Sequence, residues 1–466
     1  MKRPALVCLF WERHLTALIH YLAVHPCVVL VPSSNTGLLQ YKDLLAQAGG
    51  EVVVLDSFLS APLVSQAQAA ADGLADRWPE VVHDPAWQAL LQDNALDAEA
   101  FGSLVGNQLA PRMFDEMVMV EALDRAAEAY RIELVAQSED LTGLPRTVAE
   151  WARSRGIPSV HVAHGLPLAT PYTVHATLSS DIYAVYGKRA AEACQDAGMP
   201  AEKLRLTGNP AWDDYTRAPE RRAEWLADLR ARHDLGDRKT VVFATTWVAW
   251  LSAFDSHDRF EEGVRAFLRA ARTIRASGRA WNFVFKDRLS NTATGRDWIA
   301  RLAAEEGLTP ADYIYALEDA KPWVTCADAL VATDSNMLVE AMHVGTPAIN
   351  LMNDHGLVMG PSFDADSGIL EVAPDTLDET LVRVVEDGTY RQHLARAMAA
   401  RLADYNLGFD GSASRRVAAV MVEALALANQ RTREIHAQGE ALHLGQEKRY
   451  VWQSLGGTAG AREADE

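Results

Sequence analysis

Short apolar runs rich in β-branched residues alternate with longer polar, helix-prone stretches along most of this chain. They occur at residues 5–10, 27–31, 51–55, 132–136, 159–163, 182–186 and 204–207, then at 240–244, 282–285, 313–315 and 329–332, with another beginning near 348. Strands buried on both faces read as unbroken apolar runs, and regular strand–helix alternation implies a parallel sheet covered by helices. At 466 residues the chain is too long for one ordinary core. The expected fold class is therefore α/β, with two Rossmann-like domains whose parallel sheets face a central cleft.

The pattern also suggests where the domains divide. Residues 1–215 form the first domain, with a largely helical insertion at about 60–130 punctuated by Pro79, Pro85 and Pro111. Residues 216–238 carry charge but no strand pattern and read as an interdomain segment. Residues 239–425 form the second domain. Residues 426–466 read as a C-terminal helix followed by a disordered, glycine-rich tail. A helix from 413 to about 429 is expected to return to the first domain.

Composition narrows the partners. The net charge of −19 argues against nucleic acid and against a mainly electrostatic hold on anionic lipid. The basic cluster Arg221, Arg222, Arg230 and Arg232 is interleaved with acids and reads as a solvated helix face. Four scattered cysteines form no C-x-x-C pair, so free thiols and a reducing cytoplasm are expected. The N-terminal apolar run, 5–11, is cut by Glu12, Arg13 and His14 and reads as a strand, not a leader. No run of eighteen apolar residues predicts a membrane span.

Residues 333–350 carry the strongest chemical signal. A strand feeds Asp334, Ser335 and Asn336, a short helix carries Glu340, and Gly345 and Pro347 end it. A helix start beside hydroxyl and amide groups suits phosphate, and a carboxylate one or two turns later suits a ribose hydroxyl pair. Lys286 and Arg288, at the end of the 282–285 strand, would offset leaving-group charge without a metal. Thr245, Thr246 and Trp247 would add hydroxyls and a stacking ring. In the first half, Glu139 and Asp140 follow one strand and His164-Gly165 follows the next. The carboxylates are candidate bases or nucleophiles, and His164 is a candidate base or a donor to phosphate. Asp140 has a capping role as its alternative, and His161 reads as a packed sheet histidine. Gly208 and Asn209 lie at another strand-end turn and would approach a donor closely, or simply turn the chain. No metal-ligand spacing stands out. Asp364-Ala365-Asp366 has the letters of a cation site but sits in a loop of the second half.

The ordered set His164-Gly165, residues 180–187, Gly198, residues 206–210, Asp334-Ser335…Glu340-Ala341…Gly345-Thr346-Pro347 and residues 410–416 resembles bacterial surface-polysaccharide glycosyltransferases of the GT-B fold, over roughly residues 130–425. Residues 137–140 are similar to a segment of bacterial β-Kdo transferases, which use CMP-Kdo. That match implies Asp140 as the nucleophile of a retaining mechanism. A weaker likeness to CDP-glycerol glycerophosphotransferases rests on Lys286, without the histidine they place nearby. Retaining UDP- and GDP-sugar transferases often carry two glutamates eight apart, and Glu340 has no such companion. The resemblance thus implies a metal-independent transferase moving a sugar, with CMP-Kdo favoured, from a nucleotide-sugar donor to a glycan or glycolipid acceptor. It would act in the cytoplasm, at the inner membrane face or within an assembly complex. A sugar-nucleotide 2-epimerase, a CDP-glycerol-type phosphotransferase and a non-catalytic binding subunit remain the alternatives.

Overall fold

A computed structural model describes residues 2–81, 83–93, 109–140, 143–165, 178–245, 256–288, 295–352 and 363–438. Thr142, Thr246, Trp247, Gly360, Pro361 and the tail beyond 438 lie outside them. Thirteen strands are described, all within a residue or so of the apolar runs except the last. They are β1 Pro4–Leu9, β2 Cys27–Val31, β3 Gly50–Val54, β4 Arg131–Gln137, β5 Ser159–Val162, β6 Ile182–Val185, β7 Leu204–Leu206, β8 Thr240–Ala244, β9 Asn282–Lys286, β10 Ile314–Ala316, β11 Ala329–Ala332, β12 Ala348–Leu351 and β13 Leu370–Val372. The sequence pattern did not expose β13. It is three residues long and is defined by its pairing with β12, as Ile349↔Leu370 and Leu351↔Val372.

The strands form two parallel sheets, of order β3-β2-β1-β4-β5-β6-β7 and β10-β9-β8-β11-β12-β13. Both follow the same winding. The chain steps outward for three strands, returns, and steps outward on the other side. Each sheet therefore has one switch point, between β1 and β4 in the first and between β8 and β11 in the second. Loops leaving the C-terminal ends of those strands diverge and open a crevice, which is where doubly wound sheets bind ligands.

Contacts group the chain into two compact units: residues 1–162, 177–184 and 417–466, and residues 163–176 with 185–416. In the first unit one sheet face, with Val7, Val28 and Val135, meets the helices Ala110–Ala129 and Gly143–Ser154 through Met119, Leu123, Val148 and Trp151. The other face, with Leu6, Cys8, Val29 and Leu134, is covered by the helix Leu15–Val24 and by Val417, Val420, Met421 and Ala424. Those four belong to the helix Ala413–Gln438, which runs past the expected end near 429. In the second unit Phe267 meets Phe283 and Phe285 edge to face, and Phe243 packs tilted against Phe267 and Phe285; edge-to-face pairs are favoured beyond their buried area.

The closing stretch of Ala413–Gln438 makes the energetic role of late sequence testable. Met421 is fully buried and Val422, its neighbour, is 41% exposed. Met421→Ala is expected to cost about 2–5 kcal/mol of stability, and Val422→Ala less than about 0.5 kcal/mol. Urea denaturation of the two variants checks the contrast.

Candidate functional site at the second switch point

β11 ends at Ala332 and the chain turns through Asp334, whose φ of 47° is left-handed. A non-glycine residue holds that conformation only with support. Here Asp334 N donates to Asn350 Oδ1 at 2.8 Å, and Asn350 Nδ2 donates back to Asp334 Oδ1 at 3.1 Å. Asn350 is itself tied to Glu371 Oε2 of β13 at 3.0 Å. The turn is thus clamped from two neighbouring strands. Ser335 then caps the helix Asn336–Val344, its hydroxyl accepting from Met337 N at 3.3 Å. Asn336 Nδ2 donates to the backbone carbonyl of His164 at 3.3 Å. His164 thus lies beside the helix Asn336–Val344 within the second unit, whereas Glu139 and Asp140 belong to the first.

Glu340 is half-buried on the same helix, and the Tyr215 hydroxyl donates to its Oε2 at 2.5 Å. Tyr215 lies on the 3-10 helix Pro210–Arg217. Burial and the Glu340 charge push its phenol well above its ordinary value, so it remains a donor. One turn after Glu340 comes His343, only 8% exposed. Neither of its ring nitrogens has a hydrogen-bond partner among the described residues. The Tyr215 ring stacks on it at 5.5 Å and 24°, Trp212 meets it edge-on at 5.5 Å, and Phe409 sits at 5.0 Å. Burial pulls the imidazole down to about 3, so it is neutral at ordinary pH.

Gly208 and Asn209 build this arrangement from a distance. Gly208 has φ +77°, and a Cβ there would lie 2.8 Å from the Leu407 carbonyl oxygen, so only glycine fits. Asn209 N donates to Asn406 Oδ1 at 2.8 Å, and the Asn209 side chain caps the 3-10 helix by accepting from Ala211 N at 3.0 Å. Asp213, further along, accepts from Ala413 N and Ser414 N at 2.8 Å each and so caps the last helix. The strand-end turn that read equally as a donor contact is occupied in folding.

At the ends of β8, β9 and β10 the organiser is Asp287. Its carboxylate is fully buried and accepts from Thr245 Oγ1 at 2.6 Å, Tyr315 OH at 2.5 Å and Arg288 N at 2.8 Å. Lys286 is only 7% exposed and donates to the Asp287 carbonyl at 2.6 Å. Burial pulls its ammonium below the usual lysine value, against the pull of Glu318, Asp287 and Asp319. Arg288 is exposed. It is the residue of this pair that lies at the surface.

The first-unit candidates assemble differently. Glu139 is half-buried, whereas Asp140 is fully buried. Asp140 Oδ2 accepts from Ser180 N at 2.8 Å and Ser180 Oγ at 2.7 Å, and Oδ1 meets His161 Nδ1 at 3.1 Å. Burial opposes its charge, but His161 and Ser180 outweigh burial and hold the carboxyl below its ordinary value. With both oxygens so engaged, Asp140 ties the loop after β4 to the loop before β6. His161 is the packed sheet histidine expected, with its ring 4.6 Å from Tyr183. At this sheet's own switch point, His14 Nδ1 and Ser138 Oγ lie 2.6 Å apart, both buried. Sequence reading passed over His14 because it ends an apolar run. The signal available was its place just beyond the first strand.

Asp364 and Asp366, weighed as a cation site, are held by arginines instead. Asp364 pairs with Arg189 and Arg401 at 3.0 Å each, and Asp366 with Arg401 at 3.4 Å. Among the described residues no group of three or more metal-ligating side chains converges.

No family model and no curated protein sequence matches the chain. Solved structures do. UDP-GlcNAc 2-epimerase from Neisseria meningitidis, bound to UDP-GlcNAc, matches 91% of this chain and 99% of its own at 13% identity, with a TM-score of 0.53. Anabaena HepE in complex with UDP and glucose matches 91% and 99% at 15% identity, with a TM-score of 0.52. S. aureus MnaA with UDP matches 92% and 98% at 13% identity, with a TM-score of 0.51. The fold is of the GT-B type. At these identities the likeness concerns the fold alone, and neither the Kdo nor the CDP-glycerol resemblance has a counterpart among these neighbours.

Two buried groups give the GT-B chain a definite acid response. His343 has a folded value near 3 against 6.5 unfolded, so the unfolded chain binds the extra proton between them. Its contribution, on the order of a few kcal/mol, is complete above about 6.5 and declines as pH falls toward 3. Asp140, also depressed, contributes above its ordinary 3.8 and loses that contribution as pH falls through its lower folded value. His343→Phe is expected to flatten the fall in urea midpoint between pH 6.5 and 4. A slope equal to the parent's would refute the assignment. Asp140→Ala should cost about 2–5 kcal/mol at neutral pH by stranding the donors of Ser180 and His161.

Proposed function

We propose that this protein is a nucleotide-sugar-dependent glycosyltransferase whose second unit binds the donor nucleotide. The observation that carries the reading is a strand–turn–helix at the second switch point, with Ser335 and Asn336 at the helix start and Glu340 one turn on. The positive end of a helix dipole attracts phosphate, and a half-buried carboxylate suits ribose hydroxyls. The Thr245 hydroxyl already donates to Asp287, whereas Arg288 borders the same sheet edge and would take diphosphate oxygens. Lys286, buried against a carbonyl, would have to change rotamer to do so. We expect no metal requirement, and binding insensitive to chelators.

For the base we favour uridine diphosphate over CMP. The solved neighbours named above carry UDP or a UDP-sugar. The residue 137–140 segment that suggested CMP-Kdo is spent on internal hydrogen bonds. The acceptor is proposed to be a glycan or glycolipid, reached by a cytoplasmic protein at the inner membrane face or within an assembly complex. No helix among the described residues is long and apolar enough to cross a membrane.

The rival reading is a sugar-nucleotide 2-epimerase, favoured by the Neisseria neighbour. Incubation with UDP-sugars and no acceptor separates the two, because an epimerase forms a new UDP-sugar and a transferase does not. Calorimetry checks the donor site. UDP should bind more tightly than CMP, and Glu340→Ala should weaken UDP at least about tenfold, the equivalent of ~1.4 kcal/mol, alongside a modest fall in melting temperature from stranding the buried Tyr215 hydroxyl. Unchanged UDP affinity in that variant would sink the assignment.

A further inference from the structure

We propose that Tyr215 and His343 are positioning residues for Glu340: the His343 ring plates Tyr215, and the Tyr215 hydroxyl fixes the carboxylate toward a ribose hydroxyl pair. This rests on the donor-site reading above and adds to it the device that gives the site its preference for ribose.

Five observations converge. Tyr215 is fully buried, and a buried phenol must place its proton on an acceptor. The acceptor is Glu340 Oε2 at 2.5 Å, from a residue 125 positions away. The same ring lies nearly parallel to His343, 5.5 Å between centroids and 24° between planes. Glu340 and His343 are three apart on one helix and therefore share a face, so one tyrosine reaches both. Trp212 and Phe409 close the remaining sides of the imidazole, and Tyr186 backs Trp212 at 5.0 Å.

The imidazole is used as a flat apolar plate. Its nitrogens have no partner among the described residues, and burial keeps it uncharged. A cationic ring here would compete with ribose for the Glu340 charge. The neutral ring leaves that charge intact. Tyr215 in turn restricts rotation of the carboxylate, so a bound ribose meets an acceptor already oriented. The left-handed turn at Gly208 and the cap at Asn209 start the 3-10 helix that delivers both Trp212 and Tyr215.

The experiment compares UDP with 2′-deoxy-UDP by calorimetry on the full chain. The parent is expected to prefer UDP about tenfold, from one hydrogen bond to a charged acceptor. Glu340→Ala should abolish that preference. Tyr215→Phe keeps the stack but removes the hydroxyl, and His343→Ala removes the plate. Both should reduce the preference to less than about threefold. His343→Phe restores a plate and should keep the parent's ratio. A merely structural role would lower melting temperature without moving the ratio. If Glu340→Ala loses the preference while Tyr215→Phe and His343→Ala keep it, the positioning role is overturned and the donor site stands. Loss in His343→Phe as complete as in His343→Ala also overturns the plate. If the parent shows no preference, or Glu340→Ala retains it, the ribose site itself falls. Should His343→Ala fail to fold, Tyr215→Phe decides.

Discussion

The second unit depends on one backbone constraint, the left-handed turn at Gly208 beneath the Leu407 carbonyl. A side chain there would push residues 206–213 away from 406–414. Those two segments are joined by Asn209 to Asn406, by Asp213 to the start of the last helix, and by the Arg416 guanidinium to the Thr207 and Leu407 carbonyls. From the turn also follows the path of Trp212 and Tyr215 onto the helix that bears Glu340. A single conformational requirement therefore underlies both the closing of the chain and the shaping of the candidate site.

Both switch points of this GT-B chain engage their polar groups in internal hydrogen bonds, with different geometry. In the second, polar groups are arranged around a capped helix start, and half-buried side chains stand at its mouth. In the first, polar groups are consumed. His14 meets Ser138, Asp140 meets His161 and Ser180, and Gln137 Nε2 meets Ser180. Buried polar networks of this kind rigidify their surroundings when satisfied. At the first switch point the network is only partly satisfied, since Gln137 Oε1 and His161 Nε2 have no hydrogen-bond partner among the described residues.

Much of the fold was legible because parallel strands buried on both faces need continuous apolar runs, and this chain supplies them at regular intervals. Capping was legible too, since Ser335 and Gly345 sit where a helix must start and stop. What escaped has a common physical origin. β13 is three residues whose identity as a strand comes from pairing. Asp140 has the letters of a nucleophile, but its two oxygens are occupied by residues 21 and 40 positions on. Lys286 has the letters of a phosphate ligand, yet burial turns it onto a carbonyl. Tyr215 and His343 carried no local signal, because their meaning lies in a contact across 125 residues. Local pattern reports which groups could do chemistry, and tertiary contact decides which of them are already employed.

The helix Ala413–Gln438 carries a consequence for synthesis on the ribosome. Val417, Val420, Met421 and Ala424 complete the first unit's apolar face, but they emerge only after the second unit's strands have all been made. The earlier-born sheet has that face covered only in part, by the helix Leu15–Val24, until the later-born residues are made. Vectorial production thus inverts the order of completion. The nascent chain passes through a stage in which the second unit is sealed and the first still presents a sticky face, the interval in which a holding chaperone would be most useful.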